Sequence, residues 1–106
     1  MIAVLFEVEP AEGKADAYFD LAASLRDELM ETEGFISVER FESLTTVGKF
    51  LSMSYWEDRD AVELWYANSN HSRAQQQGRN DIFKNYRIRV AEVFRDYDMA
   101  AGRPDI

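Results

Sequence analysis

Residues 52–97, which decide the fold, read SMSYWEDRDAVELWYANSNHSRAQQQGRNDIFKNYRIRVAEVFRDY. The stretch opens inside an aromatic strand that we expect to span 49–56, and it continues into a Trp-bearing helix from Arg59 to about Ala67. A polar turn at 68–71 follows, and a strand over 86–96 with arginines two residues apart closes the stretch. Aromatic rings and a few polar groups on a small scaffold are typical of a small-molecule pocket. The same stretch therefore predicts both a β-α-β order and a site.

The residues before this stretch complete the order of elements. Alternating apolar residues at 2–8 predict a strand, and apolar residues spaced three and four apart over 14–31 predict an amphipathic helix that ends before Gly34. A second strand over 35–43, joined to the 49–56 strand by a short Gly-containing turn, predicts an antiparallel hairpin. The order β-α-β-β-α-β is that of the ferredoxin-like α+β fold, with helices on one face of a four-stranded antiparallel sheet.

Local signals predict several details of these elements. Asp58 is a candidate N-cap for the Trp-bearing helix, and a slip in the apolar phase predicts a β-bulge near Val90–Glu92. One domain over 1–98 and a C-terminal tail over 99–106 account for the 106 residues. The chain carries no Cys and no long apolar run, so it predicts neither disulfides nor a membrane span. A cytoplasmic protein without a signal peptide is the expectation.

Both faces of the predicted sheet carry apolar side chains, whereas two helices cover only one face. We expect the second face to be buried by a second copy of the chain, giving a homodimer through sheet faces. The alternation predicts one face with Leu5, Phe35, Phe41, Phe50 and Trp56 and the other with Val4, Phe6, Ile36, Val38, Met53 and Tyr55.

The distribution of charge limits the partners. The net charge of −8 argues against nucleic acid binding through a general basic surface. Residues 1–60 contain 14 acidic and 5 basic residues, whereas residues 61–106 contain 6 and 7. The basic part of the second half is either a solvated strand and turn or a local positive patch for an anionic ligand.

The opening strand IAVLFEVEP, the segment GFISVERFES, the junction FLSMSYWEDRDAVELWYAN and the ending from His71 to Tyr97 together resemble the antibiotic biosynthesis monooxygenase family. The resemblance covers about residues 2–97. It implies the dimeric α/β-barrel fold and small homodimers. It also implies oxygenation of a phenolic or quinol-type aromatic substrate with O₂, without metal, flavin or haem.

Six residues of this chain suit that implied chemistry, although each also has a purely structural explanation. His71 and Tyr86 are the candidate catalytic residues, and the candidate substrate-binding residues are Trp65, Trp56, Arg73 and Arg87. The tryptophans could equally be core residues, His71 an exposed turn residue, and Arg87 part of an ion pair. No cofactor or metal is expected, because a lone His without Cys is a poor transition-metal site.

Two alternatives accompany this interpretation. A non-catalytic barrel that binds a small ligand fits the same residues. A related haem-degrading branch carries an Asn on the first strand, a Trp in the second helix and a His ten residues after that Trp. Trp65 matches, but position 75 is Gln and the first strand lacks Asn, so haem degradation is disfavoured.

Overall fold

The computed structural model describes residues 1–77 and 81–100, with the side chains of 69–71 and 75 also outside that description. Eight elements follow one another in these residues: β1 (Ile2–Pro10), α1 (Ala15–Ser24), α2 (Arg26–Glu31), β2 (Phe35–Glu42), β3 (Phe50–Trp56), α3 (Arg59–Ala67), α4 (Ser69–Gln77) and β4 (Phe83–Glu92). The strands form one antiparallel sheet in the order β2-β3-β1-β4. The ferredoxin-like α+β fold and the β2–β3 hairpin predicted from the sequence are confirmed. Positions 101–106 of the predicted tail lie outside the described residues.

The ladder assigns the strand residues to two faces. Ile2, Val4, Phe6 and Val8 of β1 face the helices, because they pack with α1, α3 and Ile82 in two buried clusters. Their partners on β3 are Trp56, Ser54, Ser52 and Phe50, which therefore share the helix side. The prediction that Phe50 and Trp56 lie on the same face as Leu5 and Phe41 is wrong.

A β-bulge explains a second difference on β2. Phe35 pairs with Trp56 and Ser37 pairs with Tyr55, so Ile36 is an extra residue without a partner on β3. Phe35 and Val38 both pack towards the helices, whereas the side chain of Ile36 is 48% exposed. A strictly alternating pattern does not predict this inserted residue, because Phe, Ile and Val all suit a strand interior.

The second face of the sheet, here called the open face, carries a smaller apolar centre than predicted. Leu5, Leu51, Met53 and Tyr55 are half-buried on it, and Phe41 is 41% exposed. Glu7 lies beside this apolar centre and forms ion pairs with Lys49, at 2.9 Å, and with Arg89. The open face therefore carries an apolar stripe along β1 and β3, flanked by Glu39 on β2 and Arg89 on β4.

The predicted bulge near 90–92 is also wrong. The β1–β4 ladder is regular from Asn85 to Glu92, and its one register shift lies at the other end, between Glu9 and Pro10. The apolar pair at 93–94 follows the end of β4, where the Val93 N–H donates to the Met1 carbonyl at 2.9 Å. The slip in phase marks the end of the strand and not a kink inside it.

Local chemistry fixes the helix ends. The helix predicted over 14–31 is interrupted at Leu25, which separates α1 from α2. The prediction of Asp58 as an N-cap is confirmed, because its Oδ1 accepts a hydrogen bond from the Ala61 N–H at 2.9 Å. Gly34 has φ of 85°, and a Cβ at this position would lie 2.5 Å from the Ala61 Cβ. Glycine thus lets α3 pack directly on the start of β2.

No described helix is both long and apolar enough to cross a membrane.

Candidate functional site

A cavity of about 150 Å³ lies between the helix side of the sheet and the helices. The floor of the cavity is formed by a row of residues that pair across the four strands. Arg40 pairs with Ser52, Ser52 with Phe6 and Phe6 with Ile88, and all four side chains line the cavity. The volume is about that of an engineered apolar cavity that binds benzene in another protein. The site is therefore large enough for a small ring system.

The cavity exists because β3 places two small side chains at the middle of its helix side. Ser52 and Ser54 lie between Phe50 and Trp56 on that face, and both serines line the cavity. Well-packed interiors leave few voids larger than a water molecule, so small residues at two successive inward positions open a space that larger ones would fill. The hydroxyls also add two polar groups to an otherwise apolar floor.

Both tryptophans of the chain border this space. Trp56 is 1% exposed, and its indole Nε1 donates to the Ser54 Oγ at 2.9 Å, which satisfies the buried N–H. Trp65 lies on α3 with its ring centroid 6.4 Å from that of Trp56. The two rings form an apolar wall, and both belong to the core cluster that joins α3 to the sheet. A core role and a ligand-contacting role thus coincide in the same side chains.

A polar corner of the cavity is formed by Tyr18 of α1 and Arg40 of β2. Tyr18 is 3% exposed, whereas Arg40 is exposed on the edge strand. Burial raises the pKa of the Tyr18 phenol, and the Arg40 guanidinium opposes this rise through a hydrogen bond and its positive charge. The phenol therefore stays protonated at neutral pH and can act there as a hydrogen-bond donor but not as a base.

Tyr66, at the end of α3, adds a second phenol to the lining. Its side chain is half-buried, and burial raises its pKa, with a further rise from the negative charge of Glu63. The Ser72 hydroxyl donates to the Tyr66 carbonyl at 3.2 Å and ties the start of α4 to the end of α3. The cavity thus presents a second protonated phenol on the side of α3.

The structure brings together only part of the site expected from the sequence. Trp56 and Trp65 line the cavity. Tyr86 lies on the same side of the sheet but packs against Phe6, with ring centroids 5.9 Å apart, outside the cavity lining. Arg73 is exposed on α4, and Arg87 lies on the open face, where it pairs in register with Glu7. The side chain of His71 lies outside the described residues.

Sequence reasoning missed five polar lining residues: Tyr18, Arg40, Ser52, Ser54 and Tyr66. A signal for three of them was present. The spacing of Ser52 and Ser54 matches that of the aromatic residues on either side of them, so small polar residues are predicted at the core positions of β3. The spacing of Val38 and Arg40 likewise places an arginine on an apolar face. Tyr18 resembles an ordinary core residue in the sequence and gave no such signal.

Among the described residues, no three His, Asp or Glu side chains come together as a metal-binding group. The polar groups that line the cavity are hydroxyls and a guanidinium, and the guanidinium offers donors only. This lining suits an organic ligand that accepts hydrogen bonds.

Comparisons with known proteins agree with the fold. Residues 1–77 match the family model described as antibiotic biosynthesis monooxygenase. The chain is 39% identical over 93 residues to the jasmonate monooxygenase ABM of Pyricularia oryzae, covering 88% of this chain but 43% of that protein. It is 29% identical over 93 residues to the uncharacterized protein YqjZ of Bacillus subtilis, covering 88% and 79% of the two chains.

The chain therefore spans less than half of the Pyricularia oryzae relative. Among solved structures, Rv0793 from Mycobacterium tuberculosis superposes with a TM-score of 0.80 at 14% identity, over 92% of this chain and 98% of that one. At this identity the structural likeness shows the fold alone. The family match extends from β1 to the end of α4 and includes both tryptophans of the cavity wall.

Proposed function

The chain belongs to the antibiotic biosynthesis monooxygenase family, and we propose that it oxidises a phenolic or quinol-type aromatic substrate with O₂ in the cavity between sheet and helices. The observation that carries the proposal is the wall formed by Trp56 and Trp65 over a floor opened by two serines. Flat rings suit such a wall, because offset or edge-on contacts between aromatic rings add to the gain from burial.

The proposed reaction needs no cofactor, because the substrate supplies the electrons. Deprotonation of an electron-rich phenol gives an anion that can pass one electron to O₂, and the two radicals then combine at carbon. One oxygen atom stays on that carbon as a carbonyl oxygen of the quinone. The other leaves as water with the two hydrogens that the substrate gives up. The protein has to bind the rings, favour the anion and move protons.

We assign the protein groups as follows. Trp56 and Trp65 hold the rings, and Tyr66 lies beside them in the cavity lining as a protonated phenol. His71 remains our candidate proton acceptor, because imidazole titrates near neutral pH by default. Tyr86 and Arg73 are candidates for a supporting role on the side of β4 and α4, and Arg87 is a candidate for a site on the open face.

Oxygen uptake by purified protein tests the proposal. Protein freed of metal by chelation should consume O₂ with at least one member of a panel of anthrones, hydroquinones and phenols. The panel includes jasmonate, because a 39% identical relative is named as a jasmonate monooxygenase. We expect one quinone and one water per O₂, and a lower rate in His71→Ala at an unchanged melting temperature. Turnover only after addition of flavin or metal would contradict the proposal.

A ligand-binding protein without catalysis is the second candidate, and the same cavity favours it. Both candidates predict quenching of the fluorescence of the two tryptophans when a ring enters the cavity. Binding without O₂ uptake by every compound in the panel would favour the second candidate. We further propose that the working unit is a homodimer paired through the open faces, as is typical of this family.

A further inference from the structure

We infer that Arg40 and Tyr18 form a carboxylate-binding corner at the mouth of the cavity. The substrate would then be an amphipathic monocarboxylate whose apolar body lies against the wall formed by Trp56 and Trp65. The inference deepens the proposed function, because it names a chemical class for the substrate of the same site. It rests on the cavity, on the pairing of the two side chains and on the distribution of charge in the chain.

Arg40 is the cation of the cavity lining, and among the described residues no ion pair joins it to a carboxylate. The Arg40 guanidinium interacts with the Tyr18 hydroxyl at the polar corner of the cavity. Lys49 and Arg89, in contrast, both contact Glu7 on the open face. In a chain with 20 acidic and 12 basic residues, an arginine that faces an apolar cavity and meets no acid is available for an external anion.

The chemistry of the pair leaves donors directed at a ligand. A guanidinium has five N–H donors and no acceptor, so Arg40 can donate both to the Tyr18 oxygen and to a ligand. The Tyr18 proton then remains to be donated, and no acceptor for it is found in the described part of the protein. A carboxylate offers two oxygens, of which one can accept from Arg40 and the other from Tyr18.

The exposed position of Arg40 favours the binding of a carboxylate that stays charged throughout the reaction, and not of the substrate oxygen that reacts. Arg40 is exposed, so an anion bound there keeps part of its hydration and loses less solvation energy than one deep in the cavity. Tyr18 lies further in, at 3% exposure, and its ring packs against Phe50 and Phe83. The corner therefore joins a charged entrance to an apolar interior, which matches an acid with an apolar tail or ring.

Binding without turnover tests this inference. The probes are 3-(4-hydroxyphenyl)propanoate and its methyl ester, titrated without O₂ and followed by calorimetry and tryptophan fluorescence. We expect the wild-type protein to bind the acid about tenfold more tightly than the ester, as one charge-assisted interaction implies. Arg40→Gln should abolish this preference by weakening acid binding while leaving ester binding unchanged. Tyr18→Phe should weaken acid binding by a smaller factor.

Matched variants separate local from general effects. Arg26→Gln removes an exposed arginine from α2 and should leave the preference for the acid intact. Arg40→Lys retains the charge but loses the planar guanidinium with its paired N–H donors. It should therefore keep part of the preference for the acid that Arg40→Gln abolishes. The inference is overturned if the wild-type protein does not prefer the acid, if Arg40→Gln keeps the preference, or if neither probe binds at millimolar concentration.

These measurements are independent of the proposed oxidation. A tenfold preference for the acid that depends on Arg40 would support the inference even if no compound consumed O₂. Conversely, rapid O₂ uptake with neutral phenols, together with equal binding of acid and ester, would support the proposed function and overturn the carboxylate corner. The two proposals can therefore fail separately.

Discussion

At the scale of single residues, the size of the inward side chains on β3 determines whether the protein has a cavity. Ser52 and Ser54 occupy positions that the neighbouring strands fill with Val4, Phe6 and Val38. Ser54 also accepts the hydrogen bond from the buried Trp56 indole, which leaves Ser52 as the better position for testing the space alone. The two serines open the floor of the cavity mainly through their small volume and less through their polarity.

Ser52→Leu is expected to fill the cavity and weaken ligand binding more than tenfold without loss of stability. The added carbons enter space that is already apolar, and filling a cavity commonly raises stability by about 0.5–2 kcal/mol. Calorimetric titration and a urea melt measure the two effects. Ser52→Ala is the matched control, since it removes the hydroxyl but keeps the space. An equal loss of binding in both variants would show that the hydroxyl matters and the space does not.

Tyr18 should make stability depend on alkaline pH. Because burial raises its pKa in the folded state, the folded protein holds the phenolic proton more tightly than the unfolded chain does. Its contribution is therefore complete below the ordinary tyrosine pKa of about 10 and is lost as the pH rises through the raised value. Urea unfolding at about pH 9 and about pH 11 measures the difference. Tyr18→Phe should lose less stability over this interval than wild type, whereas Tyr97→Phe, at an exposed position, should behave like wild type.

Residue-scale prediction from sequence succeeded where one residue type carries a strong preference. Trp56 and Trp65 were singled out as candidates for stacking on a substrate, and both line the cavity, although the substrate-binding role stays a prediction. Arg40 was not singled out, because an arginine on a strand usually lies on a solvated face. Its spacing from Val38 was the available signal, and the register opposite Ser52 shows that it shares a face with the core.

At the scale of elements, the junction between β2 and α3 controls the wall of the cavity. Gly34 directly precedes β2, and the Glu57 N–H donates to its carbonyl at 2.8 Å, just before the Asp58 cap. The close contact of Gly34 with Ala61 sets how near α3 comes to the sheet. The same helix carries Val62, Trp65 and Tyr66 into the cavity lining.

Gly34→Ala should destabilise the protein far more than Gly13→Ala. Both glycines have positive φ, of 85° and 75°, so both alanines carry backbone strain of about 1–2 kcal/mol. A Cβ at Gly13 meets nothing within 4 Å, whereas one at Gly34 meets Ala61, and overpacking adds about 1–3 kcal/mol. Chemical denaturation of both variants gives the difference. Equal losses of stability in the two variants would mean that α3 moves away from residue 34 without a cost in free energy.

The order of elements was predictable because periodicity and turn residues gave the same answer along the whole chain. The assignment of faces was less successful. The inserted residue Ile36 reverses the alternation within β2, and alternation within β3 does not reveal the register that puts Phe50 and Trp56 opposite Val8 and Ile2. The interruption of the first helix at Leu25 was also missed. Leucine is a good helix former, so the break depends on packing and not on propensity.

At the scale of the whole molecule, one face of the sheet is covered by helices and the other is the open face. The register places Leu5 beside Met53 at the centre of the open face, with Leu51 and Tyr55 as neighbours along β3. The Tyr55 hydroxyl donates to the Met53 Sδ at 3.3 Å, so its polar atom is satisfied within the face. Lys49 and Arg89 lower the pKa of Glu7 by pairing with it, which keeps this carboxylate charged and ion-paired on the surface.

These properties predict a homodimer through the open faces. Burial of four half-exposed apolar side chains in each copy favours association, because each gains about 25 cal/mol for every Å² removed from water. Light scattering at about 50 μM, a concentration at which micromolar dimers persist, should give twice the 12.3 kDa of the chain.

Met53→Glu places a charge at the centre of the open face and should convert the dimer to a monomer, since an unpaired charge is costly to bury. Met30→Glu is the matched control, because Met30 lies on α2 with 57% exposure and is not on the open face. A wild-type mass of one chain, or a Met53→Glu protein that remains dimeric, would rule out pairing through this surface. Because the cavity lies on the helix side, a monomeric Met53→Glu protein should still bind the acid probe, which separates assembly from ligand binding.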